Sequence, residues 1–243
     1  MSGHSQFANI KHRKDAQDNK RGKIFQKISR EIYVSVKLSG PNIENNPKLR
    51  TILEKARSLN MPKENINRAI KKASSQGDTT NYEEITYEGY GPGTIAIIVH
   101  CLTDNKNRTA SNIRSYFNKC NAKLGTTNSV QYLFSKVGVI EFVSDLSADE
   151  VLELVLEFDV HQVTKNEDVV HLEVDVKDLL NVTNILSQAG FENFITNEIR
   201  NIPLEYITAD DVNSDSDLNL FQKLFDLLEE DEDVQLVETN LKS

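Results

Sequence analysis

The spacing of apolar residues predicts an amphipathic helix near the start of the chain, over residues 20–39. Its apolar positions recur every four residues and are Ile24, Ile28, Ile32 and Val36, with Phe25 beside them. Residues at this spacing share one side of a helix and form a stripe that can pack against another element. Gly40 and Pro41 follow directly and are expected to end the helix.

Two further helices are predicted where an asparagine stands shortly before a proline, at Asn46-Pro47 and Asn60-Met61-Pro62. Proline is well tolerated in the first turn of a helix, where its missing N–H has no intrahelical partner. The apolar positions are Leu49, Ile52, Leu53 and Ala56 in the first helix and Ile66, Ala69, Ile70 and Ala73 in the second. We therefore expect residues 1–76 to form a small helical bundle with the apolar stripes facing inward.

After Gly77 the pattern changes to strands with a few helices. Strands are predicted at 84–90, 94–102 and 129–134, with a turn at Gly89–Gly93 and a helix over 108–121. The C-terminal tail supplies only a helix at 218–228 and a strand at 234–241. Because two elements cannot bury an apolar face by themselves, the tail is expected to return to the block at 77–134.

Between these two parts, residues 135–203 show the element order β-α-β-β-α-β of a ferredoxin-like domain. The strands are predicted at 137–143, 160–165, 169–176 and 193–201. Ser147 and Glu150 form a capping-box pattern at the start of the first helix, and Gly190 ends the second. The predicted fold is α+β with three domains: 1–76, a discontinuous domain of 77–134 plus 204–243, and the inserted 135–203.

Composition and charge narrow the functional classes. No apolar run approaches the ~18 residues of a membrane span, and the N-terminus lacks the apolar region of a secretory signal, so we expect a cytoplasmic protein without membrane contact. The net charge of −9 is unevenly distributed: the first 75 residues hold 17 Lys and Arg against 6 Asp and Glu, and the remaining 168 hold 11 against 31. A cationic module on an anionic body indicates a polyanionic partner for the first part, although a solvated helical face would give the same count.

Motifs for catalysis or metal binding are weak. Cys101 and Cys120 form no CxxC pair, and GYGPG lacks the GK[ST] of a phosphate loop, so a tight turn is the simpler interpretation. Residues 211–222 place Asp and Asn at the first three calcium-ligand positions of an EF-hand, but Ser216 and Gln222 replace the required Gly and Glu. We interpret this segment as an acidic linker, and the run at 229–233 as a solvated helix end.

The five histidines also give no constellation of nucleophile, base and carboxylate. They are His4, His12, His100, His161 and His171, of which the last three lie in predicted strands and are expected to be packed or partly exposed. The sequence therefore predicts no enzyme, no cofactor and no metal site.

The basic segment near the N-terminus is more informative. Eight cations lie within twenty residues, opposed only by Asp15 and Asp18; they are Lys11, Arg13, Lys14, Lys20, Arg21, Lys23, Lys27 and Arg30. Spread over two predicted helices and the turn between them, they could contact successive phosphates and release counterions. Phosphate contact is better supported than base reading, because Phe7 and Tyr33 are expected to lie in the core.

Several separated motifs, in order and over essentially the whole length, resemble the YebC/PmpR family of regulatory proteins, which is related to mitochondrial translational activators of cytochrome c oxidase. The motifs are GHSQFANIKHRK, GKIFQKISREI, YEGYGPG, LTDNKNRT and LGTTNSVQYLF with the GVIEF strand after it. The chain departs from the family at Gln6-Phe7, where Lys-Trp is usual, and at Thr94, where a Gly is usual. These changes affect one cation and one turn and do not alter the predicted fold.

The resemblance implies three domains, as above, and residues facing nucleic acid at the N-terminus. By motif these are His4, Ser5, Asn9, Lys11, His12, Arg13 and Lys14. It also implies a functional loop at Asp104, Asn105 and Arg108, which could equally be an ordinary helix-capping turn.

Three functions remain open from the sequence. The first is a DNA-binding transcriptional regulator whose acidic domains bind protein partners or form a homodimer. The second, also implied by the resemblance, is a ribosome-associated factor that binds ribosomal or transfer RNA and assists translation of difficult stretches such as proline runs. The third is an acidic interaction scaffold without a nucleic-acid partner. Composition does not separate the first two, because both partners are polyanions.

Overall fold

The computed structural model describes residues 3–75, 80–191, 193–212 and 214–242, with side chains from residue 21 onward. Within these ranges the chain forms seven α-helices and eight β-strands, and the strands build two four-stranded antiparallel sheets. The predicted α+β class is thus confirmed.

The first helix, α1, runs without interruption over Gly3–Ser39, a length of 37 residues. The expectation of two helices joined by a turn in this region was wrong. The segment contains no proline, and a single interior glycine such as Gly22 costs a helix only about 1 kcal/mol relative to alanine. The helix ends where predicted: Gly40 adopts a φ of 82°, and its N–H donates to the Val36 carbonyl at 2.8 Å.

Two shorter helices, α2 (Pro47–Ser58) and α3 (Lys63–Ser74), pack against the second half of α1. Asn46 caps α2 by accepting from the Leu49 N–H at 3.0 Å, while its own amide donates to the Ser35 and Gly40 carbonyls. Their buried core contains Ile28, Ile32, Tyr33, Val36, Leu49, Ile52, Leu53, Ala56, Met61, Ile66, Ala69 and Ala73. Ile24 was predicted in this stripe but is 39% exposed, because helices of 12 residues are only ~18 Å long and leave the earlier part of α1 uncovered.

The first sheet has the strand order β3-β1-β2-β8. Its strands are β1 (Glu83–Tyr90), β2 (Ala96–Thr103), β3 (Lys123–Leu124) and β8 (Val234–Thr239). The C-terminal strand β8 pairs with β2, so the tail shares a sheet with the block that follows the bundle. Helices α4 (Lys106–Lys119) and α7 (Asp215–Glu230) supply the apolar residues that cover this sheet, including Ile113, Phe117, Leu224 and Leu228.

The GYGPG segment is a tight turn between paired strands, as predicted. β1 and β2 pair in antiparallel register up to Tyr90 opposite Ala96, with a short 3-10 turn at Pro92–Thr94 between them. Gly93 has a φ of 70°, and a Cβ added there would lie 2.6 Å from Cγ1 of Val212, so the turn needs glycine for both conformation and space.

The strand predicted at 129–134 was wrong. The chain instead forms a 3-10 turn at Gln131–Leu133, and the next strand begins at Phe134. The physical reason is the buried Glu88 carboxylate on β1, which accepts from the backbone N–H groups of Asn128, Val130 and Gln131 at 2.8, 2.9 and 3.0 Å. Backbone donors bound to a side chain are unavailable for a strand ladder.

The second sheet has the strand order β5-β6-β4-β7. Its strands are β4 (Phe134–Val143), β5 (Val160–Asn166), β6 (Val169–Val174) and β7 (Phe194–Pro203). The crossover helices are α5 (Ala148–Leu154), which opens with the predicted Ser147–Glu150 capping box, and α6 (Leu179–Gln188). The chain order β-α-β-β-α-β, with the last strand beside the first, is that of the ferredoxin-like arrangement. The core on the helical side contains Ile140, Phe142, Val151, Leu172, Val182 and Leu186.

Within the described part of the chain, none of the helices combines the length and the apolar character needed to cross a membrane.

Candidate nucleic-acid interface

The predicted nucleic-acid-facing residues all lie on α1. The side chains of eight of them fall outside the described residues, and these are His4, Ser5, Asn9, Lys11, His12, Arg13, Lys14 and Lys20. The remaining four are Arg21, Lys23, Lys27 and Arg30, whose surroundings can be described.

Three of these four cations face the C-terminal end of α7 and the turn after it, residues Glu229–Asp233, which we call the acidic segment. Lys23 lies 3.8 Å from a Glu230 carboxylate oxygen, and the buried Lys27 donates to the Glu229 carbonyl at 2.9 Å. Arg30 donates to Asp233 at 2.8 Å and also contacts Glu232. Lys27 and Arg30 therefore bind groups within the molecule, and a role for these two residues in nucleic-acid contact stays a prediction. Arg21 is exposed.

The interpretation of the acidic segment as a solvated helix end holds for the exposed Glu229, Glu230 and Glu232 but was wrong for the two aspartates. Asp231 is 8% exposed and Asp233 only 2%. Buried carboxylates need cations and hydrogen-bond donors, and these are supplied by two helices distant in sequence. Sequence reasoning missed this site, although it held one signal: carboxylates at the C-terminus of a helix oppose its dipole, a conflict that indicates compensation by partners elsewhere.

Asp233 is the centre of the arrangement. Arg108 binds both of its oxygens, through Nη2 at 2.8 and 2.9 Å and through Nε at 3.1 Å, and Arg30 approaches from the other side at 2.8 Å. The Thr109 hydroxyl adds a contact at 2.8 Å. Burial acts to raise the pKa of Asp233, but the hydrogen bonds from Arg108 and Thr109 and the charges of Arg30 and Arg108 outweigh it and lower the pKa. Asp233 is thus held as a carboxylate.

Asp231 binds the same face of α4 one turn further along. Its Oδ2 accepts from Asn112 at 3.0 Å and from the Tyr116 hydroxyl at 2.9 Å, and its Oδ1 accepts from the Asp233 N–H at 2.8 Å. Burial and the hydrogen bond to Asp231 raise the pKa of Tyr116 to about 12, so this phenol remains a donor. Together Asp231 and Asp233 join α1, α4, α7 and β8 at one point.

Lys27 completes the contact from the side of α1. Burial lowers the pKa of its ammonium group, while the charges of Glu229 and Asp231 act in the opposite direction. A lysine held in this way packs its stem against the protein and satisfies a helix-terminal carbonyl, which is a structural role.

The loop at Asp104, Asn105 and Arg108 has the capping role that one of the two alternatives predicted. Asn105 caps α4 by accepting from the Arg108 N–H at 3.1 Å, and Asp104 lies 2.8 Å from the Arg108 guanidinium. Arg108 bridges from this loop to Asp233, so the loop also positions the buried carboxylate. A separate functional role for the loop stays a prediction.

The face of the second sheet that α5 and α6 leave open carries a second polar cluster. His171 bridges Glu141 and Glu173, with Nδ1 and Nε2 at 3.0 and 3.1 Å from the two carboxylates, and Thr196 donates to Glu141. The hydrogen bond to Glu141 is the main cause of the raised pKa of His171, and the same bond lowers the pKa of Glu141. His171 is half-buried and His100 is partly exposed against Glu238, as predicted for strand histidines.

One group among the described residues has the geometry to hold a metal ion: Asp159, His161 and Asp175, whose ligand atoms lie within 4.8 Å of one another. The sequence gave no indication of it, because these residues belong to different strand ends. Lys177 lies 3.6 and 3.7 Å from the two carboxylates, so its ammonium group offsets one of their two negative charges.

Comparison with protein-family models gives two matches in chain order. Residues 5–76 match the model described as the TACO1/YebC protein N-terminal domain, and residues 82–241 match the model of the TACO1/YebC second and third domain. The two matches together cover nearly the whole chain, and both models describe TACO1/YebC proteins.

Curated relatives extend over the whole chain. A protein of Enterococcus faecalis named probable transcriptional regulatory protein is 44% identical over 246 residues and covers 100% of both chains. A protein of the same name from Anoxybacillus flavithermus is 46% identical, with coverage of 99% of this chain and 98% of the relative. Among solved structures, a conserved hypothetical protein from Aquifex aeolicus is 38% identical and superposes with a TM-score of 0.76, covering 91% of this chain and 90% of that one.

Proposed function

Because the chain belongs to the TACO1/YebC family, we propose that it is a DNA-binding transcriptional regulatory protein and that its N-terminal helical bundle binds the nucleic acid. The names of the curated relatives support the regulatory role. The observation that supports the DNA-binding part is the extent of α1, which continues N-terminally for some twenty residues beyond Lys23, the first of its described side chains to contact the acidic segment. That stretch contains Lys11, Arg13, Lys14, Lys20 and Arg21 against only Asp15 and Asp18.

Exposed cations also lie on α2 and α3, the other two helices of the bundle. Five exposed cations there form no ion pair with any described residue, and they are Arg50, Arg57, Lys63, Arg68 and Lys71. Guanidinium groups can bind phosphate in bidentate geometry, and lysines act as point charges on the same backbone. The proposed binding is therefore electrostatic and depends on salt, with little reading of bases.

The test is a salt titration of duplex DNA binding by the full-length protein. Replacing Lys11, Arg13 and Lys14 with Ala should lower the slope of log K against log salt by about 0.9 for each lost phosphate contact. The control removes three cations elsewhere, at Lys136, Lys177 and Lys242, and should leave the slope unchanged. An equal slope for the N-terminal variant and the wild-type protein would contradict the proposal.

A parallel experiment separates DNA from the ribosome as the partner. The protein is sedimented through sucrose with ribosomes from lysate, and its binding to promoter fragments is measured in competition with bulk DNA. A preference for promoter fragments supports the proposal. Cosedimentation with ribosomes that survives salt, together with no preference among DNA fragments, would contradict it.

Three further statements belong to the same proposal. We propose three domains with boundaries at 1–76, 77–134 plus 204–243, and 135–203, supported by the three largest apolar clusters, one in each domain; a fourth, smaller cluster lies within the middle domain. A dispersed NMR spectrum from the isolated 135–203 segment would support the inserted domain, and a collapsed spectrum would contradict it. The protein is proposed to act in the cytoplasm without catalysis or a cofactor, and its acidic domains to bind protein partners or a second copy.

A further inference from the structure

A second cationic region lies within the acidic part of the chain. Residues 105–140 contain no Asp or Glu, yet they hold six of the eleven Lys and Arg that follow residue 75. The remainder of that part carries 31 carboxylates against five cations. Most of the acid-free stretch forms α4, the turn after it and β3.

The three sides of α4 have different surroundings. One side is buried in the core through Thr109, Ile113 and Phe117, and a second binds Asp231 through Asn112 and Tyr116. The third side faces outward over a shallow depression and consists of Ser111, Arg114, Ser115, Asn118 and Lys119. We call this third side, with Lys123 of β3, the α4 surface.

The cations of the α4 surface are available for binding. Arg114, Lys119 and Lys123 are exposed, and none of them forms an ion pair within the ranges that the structure describes. In contrast, Lys106 pairs with Glu83 and Arg108 with Asp104 and Asp233 at the start of the same helix. Lys223 of α7 belongs to the same neighbourhood, because its charge and that of Lys119 both act on the Cys120 thiol.

A structural role explains only part of this surface. Lys119 lies in the last turn of α4, where a cation interacts favourably with the helix dipole. Arg114 lies in the middle of the helix and Lys123 outside it, so the dipole accounts for neither. The absence of any carboxylate along 36 residues in an otherwise anionic body therefore needs another explanation.

We propose that the α4 surface binds the phosphodiester backbone of the same nucleic acid that the N-terminal bundle binds. This inference rests on the proposed function and adds a second contact surface to it. The outward residues combine cations with hydroxyl and amide donors, which is the chemistry of phosphate contacts, and they lack the apolar anchors of a protein interface. Arg114 and Lys119 are separated by ~7.5 Å along the helix axis, close to two nucleotide steps of about 3.4 Å.

The position of the acidic segment relates the two surfaces. α1 contacts it through Lys27 and Arg30, and α4 contacts it through Arg108, Asn112 and Tyr116. The acidic segment therefore holds α1 and α4 together at one junction, and the α4 surface is the outward side of that same helix α4, next to the side that binds Asp231.

The test compares three full-length variants with the wild-type protein in salt-titrated binding of a mixed-sequence DNA duplex. The α4 variant carries Arg114→Ala, Lys119→Ala and Lys123→Ala. The N-terminal variant carries Lys11→Ala, Arg13→Ala and Lys14→Ala, and the control carries Lys136→Ala, Lys177→Ala and Lys242→Ala. Three lost contacts should lower the salt slope by about 2.7, so that between 50 and 200 mM salt the wild-type protein loses about 40-fold more affinity than the α4 variant.

Lysine acetylation of the wild-type protein gives a readout that needs no variant. DNA should protect Lys119 and Lys123 from acetylation and leave Lys177 reactive. If the α4 variant keeps the wild-type slope while the N-terminal variant loses slope, or if DNA protects neither lysine, the inference is overturned and the proposed function stands. If the wild-type protein binds no nucleic acid, both are overturned.

Discussion

Replacing the buried Asp233 with Asn tests whether the acidic segment joins α1 and α4 to the sheet. The side chain is 2% exposed and accepts from two guanidinium groups and one hydroxyl. Asparagine has nearly the same shape as aspartate but only one side-chain oxygen. Its NH₂ group would face the N–H and O–H donors that now bind the second oxygen of Asp233. The substitution therefore removes charge and acceptors without creating a cavity.

The magnitude follows from the partners that lose their acceptor. A hydrogen bond to a charged group contributes about 1.5–3 kcal/mol. The Arg30 side chain is 14% exposed and keeps Glu232 and the ring of Tyr82, whereas Arg108 is 44% exposed and can return to water and to Asp104. Because Arg108 is partly exposed, its bond to Asp233 contributes less than a buried one. We therefore expect the free energy of opening this junction to fall by about 2–4 kcal/mol, below the upper limit for breaking a fully buried ion pair.

Native-state hydrogen exchange measures this loss where it occurs. Amides of α4 and β8 that exchange through opening of this junction should do so about 30- to 900-fold faster in Asp233→Asn, because each 1.4 kcal/mol is a factor of ten. Glu232→Gln is the control from the same segment: its side chain is 52% exposed and its pair with Arg30 should contribute less than about 1 kcal/mol. Exchange rates in Asp233→Asn within twofold of the wild-type rates would refute the reasoning.

Three other substitutions test separate parts of the fold. Glu88→Ala leaves three backbone N–H groups without their acceptor and should cost about 2–3 kcal/mol, seen as a melting temperature lowered by roughly 4–12 °C; an unchanged melting temperature would contradict the capping role. Gly89→Ala would place a Cβ 2.4 Å from a β3 carbonyl oxygen and should destabilise the first sheet by about 1–3 kcal/mol; Gly22→Ala, with no atom within 4 Å, should not destabilise and is its control. His171→Asn should lower the melting temperature most between the ordinary pKa values of Glu141 and His171, 4.5 and 6.5. Because the pKa of His171 is raised in the folded protein, its contribution to the free energy of unfolding is complete below pH 6.5 and is lost as pH rises through the folded-state pKa. The pKa of Glu141 is lowered, so its contribution to the free energy of unfolding is lost as pH falls below 4.5. A difference from wild type that grows toward pH 9 would contradict this sign.

Features encoded by neighbouring residues were predictable from the sequence. The Asn46 cap, the Ser147–Glu150 capping box and the glycine at the end of α1 act within four residues of their partners, so local spacing reveals them. The same holds for the helical core, where the four-residue stripe predicted Ile28, Ile32 and Val36 correctly. The element order of residues 135–203 was likewise predictable from the local spacing of apolar residues.

Features encoded by distant residues were not predictable. The strand expected at 129–134 failed because its backbone donors bind Glu88, some forty residues earlier. The acidic segment was misjudged because its partners on α1 and α4 lie 202 and about 125 residues away. Both errors have the same physical cause. A carboxylate considered without its neighbours is expected to be exposed to water, and the hydrogen-bond donors that allow its burial come from residues distant in sequence.

The acidic segment also determines how the charge of the first 75 residues is used. The excess of Lys and Arg over Asp and Glu, 17 against 6, is larger in the sequence than on the binding surface. Lys23, Lys27 and Arg30 bind groups of the protein itself. The buried Lys27 and the largely covered Arg30 are shielded from salt, whereas the Lys23 pair is exposed and is screened over a Debye length of about 10 Å at 0.1 M. Salt should therefore leave the junction between α1 and the sheet intact while it weakens the phosphate contacts proposed for Lys11, Arg13 and Lys14. Burial and bound partners mark Lys27 and Arg30 as structural, whereas residue type alone does not distinguish them from an exposed cation of the same helix such as Arg21.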